Sequence, residues 1–279
     1  MQTENKQKLL LLGKIILFLI TFLVATSLCY YIIELIPEHK IYHPLLVIIE
    51  DGVNILIGFA ILALFVKIID KEKFISSYWF SLKGHVKGFF TGGLLGGICI
   101  VFGFLIIINL NWHQVEIAPL QIHYLSESLF LIFCIALLEE MLFRGYVFRK
   151  LLEKFSPLVS LLLSSLVFTG LHCTNSSINF LSIINIFLAG LLLGMLFLHT
   201  KNIWLATGFH FLWNYIQAAL GFNVSGVEFP AILYLTFESE SLFNGGYFGF
   251  EGSYVCSIIL LMVLFLYYKK NKQMAFNKQ

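Results

Sequence analysis

The chain has 279 residues, of which 59% are hydrophobic and 12% charged, with a formal net charge of +2. Soluble domains carry about 25% charged residues, so this composition excludes an ordinary soluble enzyme. No basic stripe suits nucleic acid, and the apolar runs are continuous, which excludes the alternation of a membrane β-barrel. The expected class is an all-α, polytopic membrane helical bundle.

About twenty apolar residues cross a bilayer core. Taken in chain order, eight segments qualify: 9–36, 45–69, 87–110, 127–148, 157–173, 180–199, 203–221 and 253–268. The first follows Lys6 and Lys8 and is too long for a signal-peptide core, so it reads as an uncleaved span. Placing the N-terminus inside puts all of the 18 basic residues except Lys40 on the inner side. The positive-inside rule therefore supports eight transmembrane helices with both termini cytoplasmic. Trp79, Trp112 and Tyr124 fall near span ends, as interface aromatics do.

The third segment holds Gly88, Gly92, Gly93, Gly96 and Gly97, a small-residue pattern for close helix contact or for docking a substrate helix. The five scattered cysteines form no C-x-x-C pair and read as small buried apolar residues. The organisation expected is N-terminal transmembrane helices over 1–126, a motif-bearing core over 127–221, and a final unit over 222–279. That last unit comprises an outer loop containing Glu228, Glu238, Glu240 and Glu251, one more helix and a basic tail. The outer loop reads as solvated, with a substrate gate as the alternative.

Three apolar segments carry groups that are costly in lipid, roughly 2.5–3.5 kcal/mol each for a charge near the bilayer centre. Glu139 and Glu140 precede Arg144 on the fourth segment. Glu140 and Arg144, four apart, share a face and neutralise one another, while Glu139 points about 100° away. Arg144 and Arg149 are the only arginines in a chain that otherwise uses lysine. Phe168 and His172 are four apart on the fifth segment, and His210 and Asn214 on the seventh. Counting places His172 toward the outer end, so a tilted, kinked or re-entrant helix is needed to bring it to the carboxylates.

Singly, each motif has a structural explanation: an ion-paired helix end, a packing histidine, an interhelical hydrogen-bond pair. Together they offer peptide hydrolysis. A carboxylate takes a proton from water, a histidine orients that water, and an imidazole with an amide stabilises the oxyanion. No Ser or Cys nucleophile stands beside them, and the H-E-x-x-H zinc helix is absent. Glu139, His172 and His210 also suffice as three zinc ligands, so the cofactor is either none or a divalent metal such as zinc.

E-E-x-x-x-R, F-x-x-x-H and H-x-x-x-N, in this order on separate segments over about 127–220, resemble the CPBP family of intramembrane proteases. That family includes type II CAAX prenyl endopeptidases and bacteriocin-processing or bacteriocin-immunity proteins. The resemblance implies Glu139 as the catalytic glutamate, with Glu140, Arg144 and Phe168 supporting it. It implies His172 as the water-holding histidine and His210 with Asn214 as the oxyanion pair. Members were long called metalloproteases, while the better-understood ones resemble metal-free glutamate proteases.

The expected partners are a peptide or membrane-protein substrate and the lipid bilayer, with no nucleic acid; oligomeric state is open. Lys usage with abundant Ile, Phe and Asn suggests an AT-rich bacterial genome and a multi-pass plasma-membrane location. A signal or bacteriocin-type peptide then fits better than a prenylated CAAX tail. The rival readings are a non-catalytic immunity or scaffold protein and an ion-coupled transporter.

Overall fold

The computed structural model describes residues 2–35, 43–72, 79–109, 113–119, 122–237 and 241–276. Lys40, Lys73, Trp112, Glu238, Glu240 and Lys278 lie outside the described residues. Each of the eight expected segments is a helix. They are α1 (Gln2–Glu34), α2 (His43–Leu64), α3 (Val86–Asn109), α4 (Ile122–Glu140), α5 (Pro157–His172), α6 (Phe180–Thr200), α7 (Trp204–Ala219) and α8 (Tyr254–Phe276). Among the described residues four stretches are long and apolar enough to cross a membrane: Thr3–Ile33, Gly52–Ile69, Val86–Asn109 and Phe180–Thr200.

The helix ends follow from local chemistry. Ser156 caps α5 by accepting from the Val159 amide, with Pro157 in the first turn. Asn179 and Ser182 form a capping box at the start of α6. Lys201 ends α6 in the left-handed region at φ 56°. Asn202 then accepts from the Trp204 amide and donates to the Ser81 carbonyl, which starts α7 two residues later.

Two helices widen into π turns. α2 continues through Phe65–Ile69, and α4 through Met141–Phe148 before a last turn at Arg149–Leu151. The second π segment begins immediately after the paired glutamates. Such turns concentrate at functional sites, and all eight of its residues are buried.

The glycines of α3 are occupied by α7. A Cβ at Gly92 would collide with the Leu205 carbonyl, and one at Gly96 with the Phe209 carbonyl. From the other side, a Cβ at Gly208 would collide with the Phe89 carbonyl. The small-residue stripe is thus the seat that holds the helix carrying His210 and Asn214.

The two ends of the bundle differ. At one end Lys14 pairs with Asp70 at 3.1 Å, Lys150 with Glu72 at 2.6 Å and Arg149 with Glu72 at 2.7 Å. Lys154 reaches Gln7 at 2.8 Å. These joints put the ends of α1, α2 and α4 together. At the other end two strands, β1 (His113–Ile117) and β2 (Leu233–Phe237), pair antiparallel with Val115 opposite Leu235. They tie the α3–α4 connection to the segment after α7.

Trp79 departs from the interface position expected of it: it is 1% exposed. Its ring lies over Gly145, where any Cβ would strike it, and the Arg149 guanidinium stacks at 5.6 Å. Of the cysteines, Cys99 and Cys256 are buried as expected, whereas Cys173 is exposed at the end of α5.

Candidate active site

α4, α5 and α7 bring the three motifs to one point. Glu140 and Arg144 are 0% and 1% exposed, and Nη1 of Arg144 donates to Oε1 of Glu140 at 2.8 Å. A second guanidinium nitrogen donates to the Gly190 carbonyl of α6 at 3.2 Å. The guanidinium plane lies 4.7 Å from the centre of the Phe168 ring. Arg144 is therefore enclosed by a carboxylate, a carbonyl and an aromatic face. It does not extend toward a membrane surface.

Phe168 links the cation to the next motif. Its ring centre is 4.4 Å from that of His172 and 6.4 Å from that of His210. His172 Nδ1 lies 2.8 Å from the Phe168 carbonyl oxygen. A carbonyl only accepts, so Nδ1 carries the proton, and Nε2 is turned toward Glu139. The F-x-x-x-H spacing thus supplies both a ring wall and a tautomer lock.

His210 is 8% exposed and stands between the two glutamates. Its Nδ1 is 3.0 Å from Glu140 Oε1, and its Nε2 is 3.8 Å from Glu139 Oε2. Nε2 of His172 reaches the same Glu139 oxygen at 3.9 Å. That oxygen is buried without a hydrogen-bond partner among the described residues. Both imidazoles stop just beyond hydrogen-bond range of it, leaving room for a bridging molecule the size of water.

The gap opens into a cavity of about 360 Å³ lined by Glu139, His172, His210 and Asn214 together with Asn54, Asn175 and Glu251. Its size falls in the range of ligand pockets, about 300–1,000 Å³. His172 reaches the cavity from the C-terminal end of α5. α5 has 16 residues, about 24 Å at 1.5 Å per residue, which is less than a bilayer core of about 30 Å. His172, its last residue, meets Glu139 at the end of a continuous helix.

Sequence reasoning missed the Glu140–His210 bond and the outer polar rim. Asn175 Nδ2 donates to the Ser225 carbonyl at 3.0 Å, and Glu251 accepts from the Ser225 amide and hydroxyl at 2.7 and 2.8 Å. Asn185 in α6 donates to the Glu251 and Ser253 carbonyls at 2.7 and 2.9 Å. The signal for Asn54 and Asn185 was present: each is a lone amide inside an apolar run.

Among the described residues no three His, Cys, Asp or Glu groups are placed to hold a metal ion. Ligands at about 2.0–2.1 Å from one tetrahedral ion lie about 3.3 Å apart. The 3.8 and 3.9 Å separations around Glu139 exceed that. The donor set as arranged does not fit a zinc site.

Residues 121–216 match the family described as type II CAAX prenyl endopeptidase Rce1-like. This CPBP-type segment is about a third of the chain and contains every motif residue named above. No curated protein matches the chain. The family match and the long apolar helices together support a multi-pass membrane protein with protease character.

Proposed function

We propose that this protein is an intramembrane endopeptidase in which Glu139 activates water. The single observation carrying this reading is the orphaned Oε2 of Glu139, flanked by His210 Nε2 at 3.8 Å and His172 Nε2 at 3.9 Å in a cavity. A buried carboxylate oxygen without a partner is costly unless something else meets it. Water bridging Glu139 and His172 satisfies both groups and is poised for attack.

In the proposed reaction the water oxygen bonds to the scissile carbonyl carbon while its proton passes to Glu139. The carbonyl oxygen becomes an oxyanion. Asn214 Nδ2–H and His210 Nε2–H stabilise it. The C–N bond then breaks, the proton held by Glu139 goes to the departing amine, and the new carboxyl group leaves with the other product. His210 already donates from Nδ1 to Glu140, so donation from Nε2 requires both ring protons. Glu139, Glu140, Arg144 and a doubly protonated His210 sum to zero charge, which suits a buried site.

In this reading eight helices span the membrane, with both termini cytoplasmic and the 222–252 segment outside. The ion pairs joining Lys14, Asp70, Glu72, Arg149 and Lys150 at one end support that arrangement. The location is a bacterial plasma membrane, and the substrate is a membrane-associated, signal or bacteriocin-type peptide.

The test is purified protein in liposomes, incubated with a library of apolar peptides and analysed by mass spectrometry for new termini. Wild type is expected to cut, and Glu139→Gln, which keeps size but loses the base, to be slower by about 10²–10⁴-fold. Equal cutting by both proteins contradicts the assignment, and no cutting by wild type contradicts the hydrolase reading.

A further inference from the structure

From Val53 to Val66 the α2 sequence has a single polar side chain, Asn54. An amide in such a run is retained at a cost unless it has a partner. Asn54 Oδ1 is buried and has no hydrogen-bond partner among the described residues. It lines the same cavity as Glu139. The cavity thus holds two orphaned acceptor oxygens on two helices, and the water chemistry above accounts for only one.

The position of Asn54 is set by the contact between α2 and α4. A Cβ at Gly58 would fall 2.7 Å from a Leu138 methyl, so α2 meets α4 at Gly58 against the neighbour of Glu139. Asn54 lies one helical turn from Gly58 on the same face, about 6 Å along the axis.

A substrate peptide in this cavity has its own difficulty. Its backbone N–H and C=O groups leave water and need partners, since an unpaired one in an apolar site costs as much as a lost hydrogen bond. A carboxamide matches a peptide unit in kind: Oδ1 accepts an N–H and Nδ2 donates to a C=O. A hydrocarbon side chain or lipid tail offers neither.

We infer that Asn54 is a substrate-positioning residue that grips one backbone peptide unit of the substrate near the bond that Glu139 cuts. This rests on the hydrolase reading and adds to it: the substrate is bound in an extended, unpaired conformation, so a peptide helical through this stretch is a poor substrate. Asn54 takes no part in proton transfer.

The experiment uses a quenched fluorescent peptide carrying the sequence that wild-type protein in liposomes cuts best from the apolar library. Asn54→Leu, close in size and compatible with a membrane helix, is expected to raise KM about tenfold with kcat nearly unchanged, the worth of one or two hydrogen bonds. Asn54→Gln is expected to recover part of that loss. Each backbone nitrogen of the peptide is then methylated in turn. One position should cost wild type about tenfold in kcat/KM and cost Asn54→Leu nothing.

If every N-methyl position affects both proteins equally while wild type still cuts, Asn54 serves packing or water and the inference is overturned. An Asn54→Leu effect confined to kcat, or to the thermal midpoint, overturns it as well. Failure of wild type to cut any peptide removes the hydrolase reading and this inference with it.

Discussion

His210 Nδ1 and Glu140 Oε1 are 3.0 Å apart, although the residues stand 70 positions from one another. The same glutamate oxygen takes Arg144 Nη1 at 2.8 Å. One buried carboxylate therefore fixes both the cation of its own helix and the imidazole of another. Glu140 aims His210 at Glu139, and Arg144 makes the burial of Glu140 tolerable.

Removing Arg144 is expected to damage folding as well as turnover. Breaking one side of a buried ion pair costs roughly 3–5 kcal/mol. Arg144→Ala should lower the thermal midpoint in detergent, and adding Glu140→Gln should recover part of that loss by removing the stranded charge. Thermal unfolding of the two variants checks the sign of the second change. A further drop in the double variant argues against the pairing account.

Asn214→Ala is expected to act on rate more than on binding. Losing one oxyanion donor typically costs about 10²–10³-fold in kcat, and an oxyanion site acts mainly in the transition state. Steady-state kinetics on a cleavable peptide should show a fall in kcat with KM within a few fold. A pure KM effect would make Asn214 a substrate contact.

The α3–α7 seat predicts a sharp contrast between glycines. Gly208→Ala places a methyl on the Phe89 carbonyl, whereas Gly13→Ala meets nothing within 4 Å. Overpacking costs about 1–3 kcal/mol, and here it also displaces the helix bearing His210 and Asn214. Gly208→Ala should lose both stability and activity while Gly13→Ala keeps both, as unfolding and cleavage assays would reveal.

The ion cluster at the other end gives a pH dependence. Burial raises the Glu72 carboxyl, but hydrogen bonds from Lys150 and Arg149 outweigh it and hold the group below the usual carboxylate range. A lowered folded value means the contribution is fully present above the unfolded value of about 4.3 and is lost as pH falls through the folded one. Wild type should therefore lose stability below about pH 4.3 more steeply than Glu72→Gln. Unfolding midpoints taken at pH 7 and pH 4 measure this, and parallel pH curves would refute it.

What the sequence revealed was mostly what one helix can encode. Glu140 with Arg144, Phe168 with His172, and His210 with Asn214 are each four apart, and four-residue spacing reads directly as one face. The eight apolar segments became eight helices because a long apolar run must satisfy its backbone within itself. Relations between helices were not legible. Nothing in the spacing ties residue 140 to residue 210, and nothing in it marks the π turn over Met141–Phe148. The β1–β2 ribbon joins two five-residue strands that are too short and too far apart in sequence to announce their pairing. Trp79 was misjudged because closeness to a span end says nothing about a glycine such as Gly145 waiting opposite.

The central claim, that Glu139 activates a water molecule, is tested most directly by a single turnover in H₂¹⁸O. Excess wild-type protein in liposomes is mixed with a cleavable peptide, and both peptide and protein are then weighed by mass spectrometry. Direct attack by water predicts one ¹⁸O atom in the new C-terminal carboxyl of the product and none in the protein. It also predicts a rate lower by about 10²–10⁴-fold for Glu139→Gln. Label appearing in Glu139, or an acylated protein trapped during the turnover, would make the glutamate a nucleophile and contradict the account.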